Sequence, residues 1–206
     1  MTKREKNILE INPRLLPSLG YLEVKLPPDI LKFLEDAIKN KDKERHNSKL
    51  ATDDYHLYHG HFGNSYLISD KNDWFFNNVI QGMINTYHRH FGGCAQQYLT
   101  VDCKYVLRSM WVNYQRKHQF NPIHDHTGIF SFVVWYKIPP SSFEFLYTDI
   151  IGRIRSKKFS LSPKDEGTML FFPSTLKHQV SPFYNSNEDR ISIAGNVLVD
   201  AEQIVK

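Results

Sequence analysis

Three pieces of the chain carry residue types that could do chemistry together: His124-Asp125-His126, then His178, then Arg190-Ile191-Ser192. Two histidines two apart on an extended segment point the same way, because strand side chains alternate with period two. His178 follows the run Gly167-Thr168-Met169-Leu170-Phe171-Phe172, which reads as a strand, and Arg190 opens another that runs to Asn196. Imidazoles suit iron, and a facial set of three protein ligands leaves positions open for substrate and oxygen. The order and spacing are those of an iron site with an anchor for a keto acid behind it. Taken alone, His124-x-His126 is a weak signal, since surface loops often hold paired histidines; His178 and above all Arg190 strengthen it. On the strand from Arg190, Arg190 and Ser192 share one face while Ile191 and Ile193 share the other. That suits the wall of a ligand-holding barrel, with the isoleucines packed under helices. The bland alternative leaves Arg190 and Ser192 in water.

The elements that must position these residues divide the chain in two. With 206 residues, it has the length of one domain, 1–206. About 1–96 reads as a helical and loop part packing on a barrel, and about 97–200 as the barrel core. Tyr21–Leu26 reads as an edge strand ended by Pro27-Pro28. Asp29 then caps a helix carrying Ile30, Phe33, Leu34, Ala37 and Ile38 at helical spacing. A second helix starts near Asp70 or Asp73 and stops at Gly92-Gly93. Beyond Tyr98, strand signals recur near 98–106, 108–116, 129–138, 143–148, 167–172, 177–184 and 189–199, and the stretch 139–164 is the most loop-like part of this half. Aromatics make up 14% of the chain, a composition that suits packed sheets. The fold class expected is mainly β with an N-terminal helical layer: a jelly roll, the cupin-like double-stranded β-helix.

Composition excludes some functions. A net charge of +4 is too mild to imply nucleic acid, and no apolar run approaches a membrane span. No apolar stretch of signal-peptide type follows the start. Cys94 and Cys103 form neither a CxxC pair nor a disulfide framework, so a reduced, cytoplasmic setting is expected.

The ordered motifs resemble the iron(II)- and 2-oxoglutarate-dependent oxygenases, most of all the short phage-encoded, prolyl-hydroxylase-like branch. The resemblance covers about Ser109 to Val199. It is carried by Met110-Trp111-Val112-Asn113-Tyr114, Asn121-Pro122-Ile123-His124-Asp125-His126-Thr127-Gly128, Phe130 through Tyr136, Gly167 through Pro173, His178-Gln179-Val180-Ser181-Pro182-Phe183 and Arg190-Ile191-Ser192. It implies Fe(II), 2-oxoglutarate as co-substrate and O2, with His124 and His178 as iron ligands. Arg190, helped by the Ser192 hydroxyl, would bind the distal carboxylate of 2-oxoglutarate, because a guanidinium offers a fork of donors that lysine cannot copy. Tyr114 and Tyr136 stand where the prolyl-hydroxylase-like members carry tyrosines that hydrogen-bond the co-substrate; core packing is the other reading of both.

One departure concerns the third ligand. The usual motif is H-x-D, and His126 stands in the carboxylate position here. Asp125 has the wrong strand parity unless the loop bulges. The ligand set is therefore His124, His126 and His178, which parity favours, or His124, Asp125 and His178. His56, His59 and His61 are left out of the site as a loop that could form a lid. His118 reads as solvent-facing, and His88 and His90 fall near a helix end, where positive charge is favourable.

The resemblance implies hydroxylation of an unactivated C–H bond with release of succinate and CO2. The substrate is a protein side chain or a small molecule. Nucleic acid is disfavoured, because that branch carries a second arginine where this chain has Asn196. If phage-encoded, the protein would work in the host cytoplasm. The rivals are a three-histidine dioxygenase that needs no keto acid, and a cupin-like binding module without catalysis. Arg190 argues against both.

Overall fold

A computed structural model describes residues 20–43, 64–92 and 104–200. The elements in chain order are β1 (Leu22–Lys25), α1 (Pro28–Lys39), β2 (Asn64–Leu67), α2 (Gln81–Phe91), β3 (Tyr105–Gln115), β4 (Asn121–His124), β5 (Phe130–Lys137), β6 (Ser141–Thr148), β7 (Ile154–Leu161), β8 (Thr168–Pro173), β9 (His178–Val180) and β10 (Arg190–Val199). They build two antiparallel sheets. The larger has the order β1-β8-β5-β10-β3-β2 and the smaller β4-β9-β6-β7. The fold is the expected double-stranded β-helix. Among the described residues, no helix is long and apolar enough to cross a membrane.

The core has two layers because the central strands of the large sheet are covered on both faces. β5 and β8 read FSFVVWYK and TMLFFP and are buried almost throughout, as strands sandwiched between two layers must be. One face meets the helices: Ile30, Leu34 and Ile38 of α1 pack with Ile84, Phe130, Phe132, Val134 and Ile193. The other face meets the small sheet, where Val133, Trp135, Leu170 and Phe172 pack with Phe143, Phe145 and Leu161. Each such side chain removed from water contributes about 1.5–3 kcal/mol.

Several local expectations change. Pro27, not Asp29, is the N-cap of α1; Asp29 sits in its first turn, where a carboxylate favours the helix dipole. The second helical stretch is composite. A 3-10 turn over Lys71–Asp73 and a π turn over Phe76–Ile80 lead into α2, which Gly92 ends at φ +90. Asp70 starts it by accepting the Phe75 and Phe76 N–H groups at 2.7 and 2.8 Å. The stretch read as loop-like holds β7 and its hairpin with β6, paired from Ser141↔Leu161 to Thr148↔Ile154. Residues 154–158 are exposed along this edge strand, so no alternation marks it. β9 is only His178–Val180. The strand expected near 98–106 lies outside the described residues up to 103, as do Cys94, Cys103 and the His56, His59 and His61 loop. His118 is exposed, at φ +68.

Candidate metal centre

The site lies between the sheets, and register builds it. β4 pairs with β9 so that His124 stands opposite His178. The chain leaves β4 at His124, so His126 is held by a different contact: its N–H donates to the Ser174 carbonyl at 2.9 Å. The three rings converge. Their centroids are 4.2 Å apart for His124–His178, 5.0 Å for His126–His178 and 5.1 Å for His124–His126. One nitrogen from each lies within 4.8 Å of the others.

The rings are held with defined nitrogens inward. His178 turns Nδ1 to the Leu176 carbonyl at 2.9 Å, and His124 turns Nδ1 to the Pro122 carbonyl at 2.7 Å. A carbonyl accepts only, so each Nδ1 carries the proton and each Nε2 keeps a lone pair, the usual support for a ligating histidine. His126 Nε2 is 3.2 Å from His178 Nε2. Two imidazole nitrogens bound at right angles, about 2.1 Å from one ion, would stand roughly 3 Å apart. The donor set fits a cation. Burial, then the neighbouring His124, pushes His126 down to about 4; the same causes, with His126 added, hold His178 well below its ordinary value. Both rings are thus neutral, the form that ligates.

Asp125 does not join the cluster. Its carboxylate pairs with Lys177 at 2.8 Å at the exposed rim, and that hydrogen bond holds it below the ordinary range. The alternation read from the sequence turns Asp125 away from the other two, although only His124 is in the strand.

Arg190 and Ser192 open into the same cavity as the histidines, a space of about 370 Å³ also lined by Trp111, Asn113, Phe143, Phe172 and Asn196. Arg190 is 2% exposed, and burial alone brings it down to about 10, so it keeps its charge at neutral pH. Among the described residues, its Nη1 reaches only the Ser142 carbonyl at 3.3 Å, and Nε has no partner. A buried cation costs several kcal/mol unless paired. A cavity with one unmatched guanidinium and three neutral imidazoles therefore fits an anion that binds the metal at one end and arginine at the other.

Tyr114 and Tyr136 do not line this cavity. Each neighbours a residue that does face inward between the sheets, Asn113 and Trp135, and so points to the helix side by strand parity. Tyr114 meets Tyr66 edge-on at 5.9 Å in a separate groove with Lys41. Tyr136 lies by α1, its hydroxyl pushed up by burial and then by Glu35. The core-packing reading of both is the one this geometry supports. Asn113, Asn121 and Ser131 were given no role in the sequence reading; the parity that placed Arg190 and Ser192 inward also turns Asn196 inward, and pairing with Ser192 brings Asn113 beside it.

Residues 109–196 match the family model described as "Putative 2OG-Fe(II) oxygenase". That stretch, which carries the three histidines and Arg190, is what this chain shares with the 2OG-Fe(II) oxygenase family. No curated protein matches this chain in sequence. Solved structures share its fold. A prolyl-4-hydroxylase from Pseudomonas putida is 11% identical, covering 86% of this chain and 91% of its own, with a TM-score of 0.52. An oxidoreductase of the 2OG-Fe(II) oxygenase family from Burkholderia pseudomallei is 11% identical, covering 87% and 84%, at 0.51. The non-heme alpha ketoglutarate dependent carbocyclase SnoK from nogalamycin biosynthesis is 10% identical, covering 89% and 80%, at 0.56. The family that the matching model describes is one of oxygenases that use iron(II) and 2-oxoglutarate.

Proposed function

We propose that His124, His126 and His178 hold iron(II), that Arg190 and Ser192 receive the distal carboxylate of 2-oxoglutarate, and that the enzyme hydroxylates an unactivated C–H bond, releasing succinate and CO2. One observation carries this reading: Arg190 is buried, has no anionic partner among the described residues, and faces the cavity that holds the three imidazoles. Bound iron(II), with 2-oxoglutarate and O2, supplies the oxidising power to take hydrogen from carbon. The chain's own residues do the rest. His124 and His178 present fixed lone pairs, and Arg190 sets the direction in which the keto acid lies. Phe143, Phe172 and Val180 make the walls apolar, so that water is excluded and charge interactions strengthen. The substrate is a protein side chain or a small molecule.

An all-imidazole set also suits a three-histidine dioxygenase that uses no keto acid, and that reading makes no use of Arg190. Anaerobic titration with iron(II), then 2-oxoglutarate, separates the two. Visible charge-transfer absorption should grow on adding the keto acid, and succinate should form once O2 is admitted. Iron bound without any response to 2-oxoglutarate would favour the second reading. No iron binding would leave a non-catalytic module.

A further inference from the structure

The turn between β8 and β9 touches two of the three histidines at once. The Ser174 carbonyl accepts the His126 N–H at 2.9 Å, and the Leu176 carbonyl accepts from His178 Nδ1 at 2.9 Å. A bond from Leu176 N–H to the Pro173 carbonyl, 2.9 Å, closes the turn, and Ser174 N–H donates to the Ile129 carbonyl at 3.0 Å. Ser174 is fully buried and Ser131, on β5, is 1% exposed. Their hydroxyls lie 2.8 Å apart, and the Ser131 hydroxyl donates to Asn196 Oδ1, on β10, at 2.9 Å. A hydroxyl has one proton. Ser131 gives its proton to Asn196, so Ser174 must donate to Ser131, and the chain runs Ser174 to Ser131 to Asn196.

The next inward residues of β5 after Ser131, Val133 and Trp135, are apolar. Burial alone would accept an apolar residue at Ser131 too. A fully satisfied buried polar chain does something packing does not, which is to specify one arrangement. His126 is the ligand that needs this. It lies beyond the end of β4, and its backbone N–H is held by the Ser174 carbonyl rather than by the strand ladder.

We propose that Ser131 and Ser174 are positioning residues of the metal centre. Their hydrogen-bond chain fastens the Pro173–Leu176 turn to the large sheet and so sets His126 against His178. Asn196 lines the cavity at the other end, so the chain also joins the cavity wall to the ligands. The inference rests on the ligand assignment proposed above.

The test uses full-length Ser131→Ala and Ser174→Ala. Anaerobic iron(II) affinity and the visible ligand-field bands of added cobalt(II), which report ligand geometry, are measured beside a thermal melt. Each variant should bind metal about tenfold to a hundredfold more weakly, as loss of outer support typically does, with the cobalt bands displaced. The double variant should be little worse than the poorer single one, because one chain is broken in either case. A purely structural role would lower the melting temperature and leave affinity and bands at parental values, and that result overturns the proposal. If Ser131→Ala fails to fold, Ser174→Ala, which keeps the Ser131–Asn196 bond, decides on the same readouts. A parent protein that binds neither metal would bring down the ligand assignment, and this inference with it.

Discussion

At the residue scale, Arg190 and the histidines have separable tasks. Arg190→Ala should weaken 2-oxoglutarate binding roughly thirtyfold or more, since truncating one partner of a buried charge pair costs about 2–5 kcal/mol. Arg190→Lys should suffer too, because an ammonium cannot make two parallel hydrogen bonds. Iron(II) affinity without the keto acid should barely change in either variant. Calorimetry with each ligand in turn checks both halves, and parental 2-oxoglutarate affinity in the alanine variant would remove the anchor. For the metal, alanine at His124, His126 or His178 should lower iron(II) affinity by orders of magnitude, while Asp125→Asn should leave it nearly intact. The carboxylate's partner is Lys177 at the rim, and exposed pairs of this kind contribute little to stability. Strong iron loss in Asp125→Asn, with His126→Ala unaffected, would reverse the assignment.

At the element scale, β10 shows how far alternation carries. Its even positions from Arg190 to Asn196 line the cavity while Ile191 and Ile193 pack with the helices. The helices obey a different balance. His88 lies in the last turn of α2, where a positive charge is favoured. Its ring packs on Tyr105 and Phe130, however, and burial lowers its proton affinity. The folded value lies below the unfolded one, so the unfolded chain binds more protons as pH falls through about 6.5. Stability should therefore decline from that pH downward, by at most about 1.4 kcal/mol per pH unit for this group, until the folded-state value is passed. Denaturant titrations at pH 7 and 5 should show a smaller decline for His88→Gln than for the parent; an equal decline would exclude His88 as a source. Gly128 governs the turn from the ligand loop into β5. It sits at φ +113, and a Cβ there would lie 2.7 Å from the Val197 carbonyl oxygen. Gly128→Ala should cost ~2 kcal/mol in the same titrations.

At the scale of the whole molecule, the site spans both sheets. His124 and His178 belong to the small one and Arg190 to the large one. Iron(II) and 2-oxoglutarate together should therefore act as a clamp. Ligand at a hundredfold over its dissociation constant adds about 2.7 kcal/mol, or roughly 5–10 °C in melting temperature for a chain of this size. Iron(II) alone should give a smaller rise, and adding the keto acid should raise the Arg190→Ala variant by much less than it raises the parent. Anaerobic thermal melts measure all three.

The sequence by itself determined what depends on local periodicity and residue type. Period-two alternation put Arg190 and Ser192 on one face, apolar runs marked β5 and β8, and the chemistry of imidazole and guanidinium named the groups of the site. It could not see β7, because an exposed edge strand carries no buried face to betray it. It placed Tyr114 and Tyr136 by order along the chain, but which face of a sheet meets helices and which meets the cavity is settled by packing between layers. It paired His124 and His126 by parity, whereas His126 is held beyond the strand's end by the Ser174 carbonyl. The convergence of three rings, the burial of Arg190 with no anionic partner among the described residues and the Ser174–Ser131–Asn196 chain all join residues far apart in sequence. Only the antiparallel register of two sheets brings them together, because hydrogen bonds and desolvation act over a few ångströms of space, whatever the separation along the chain.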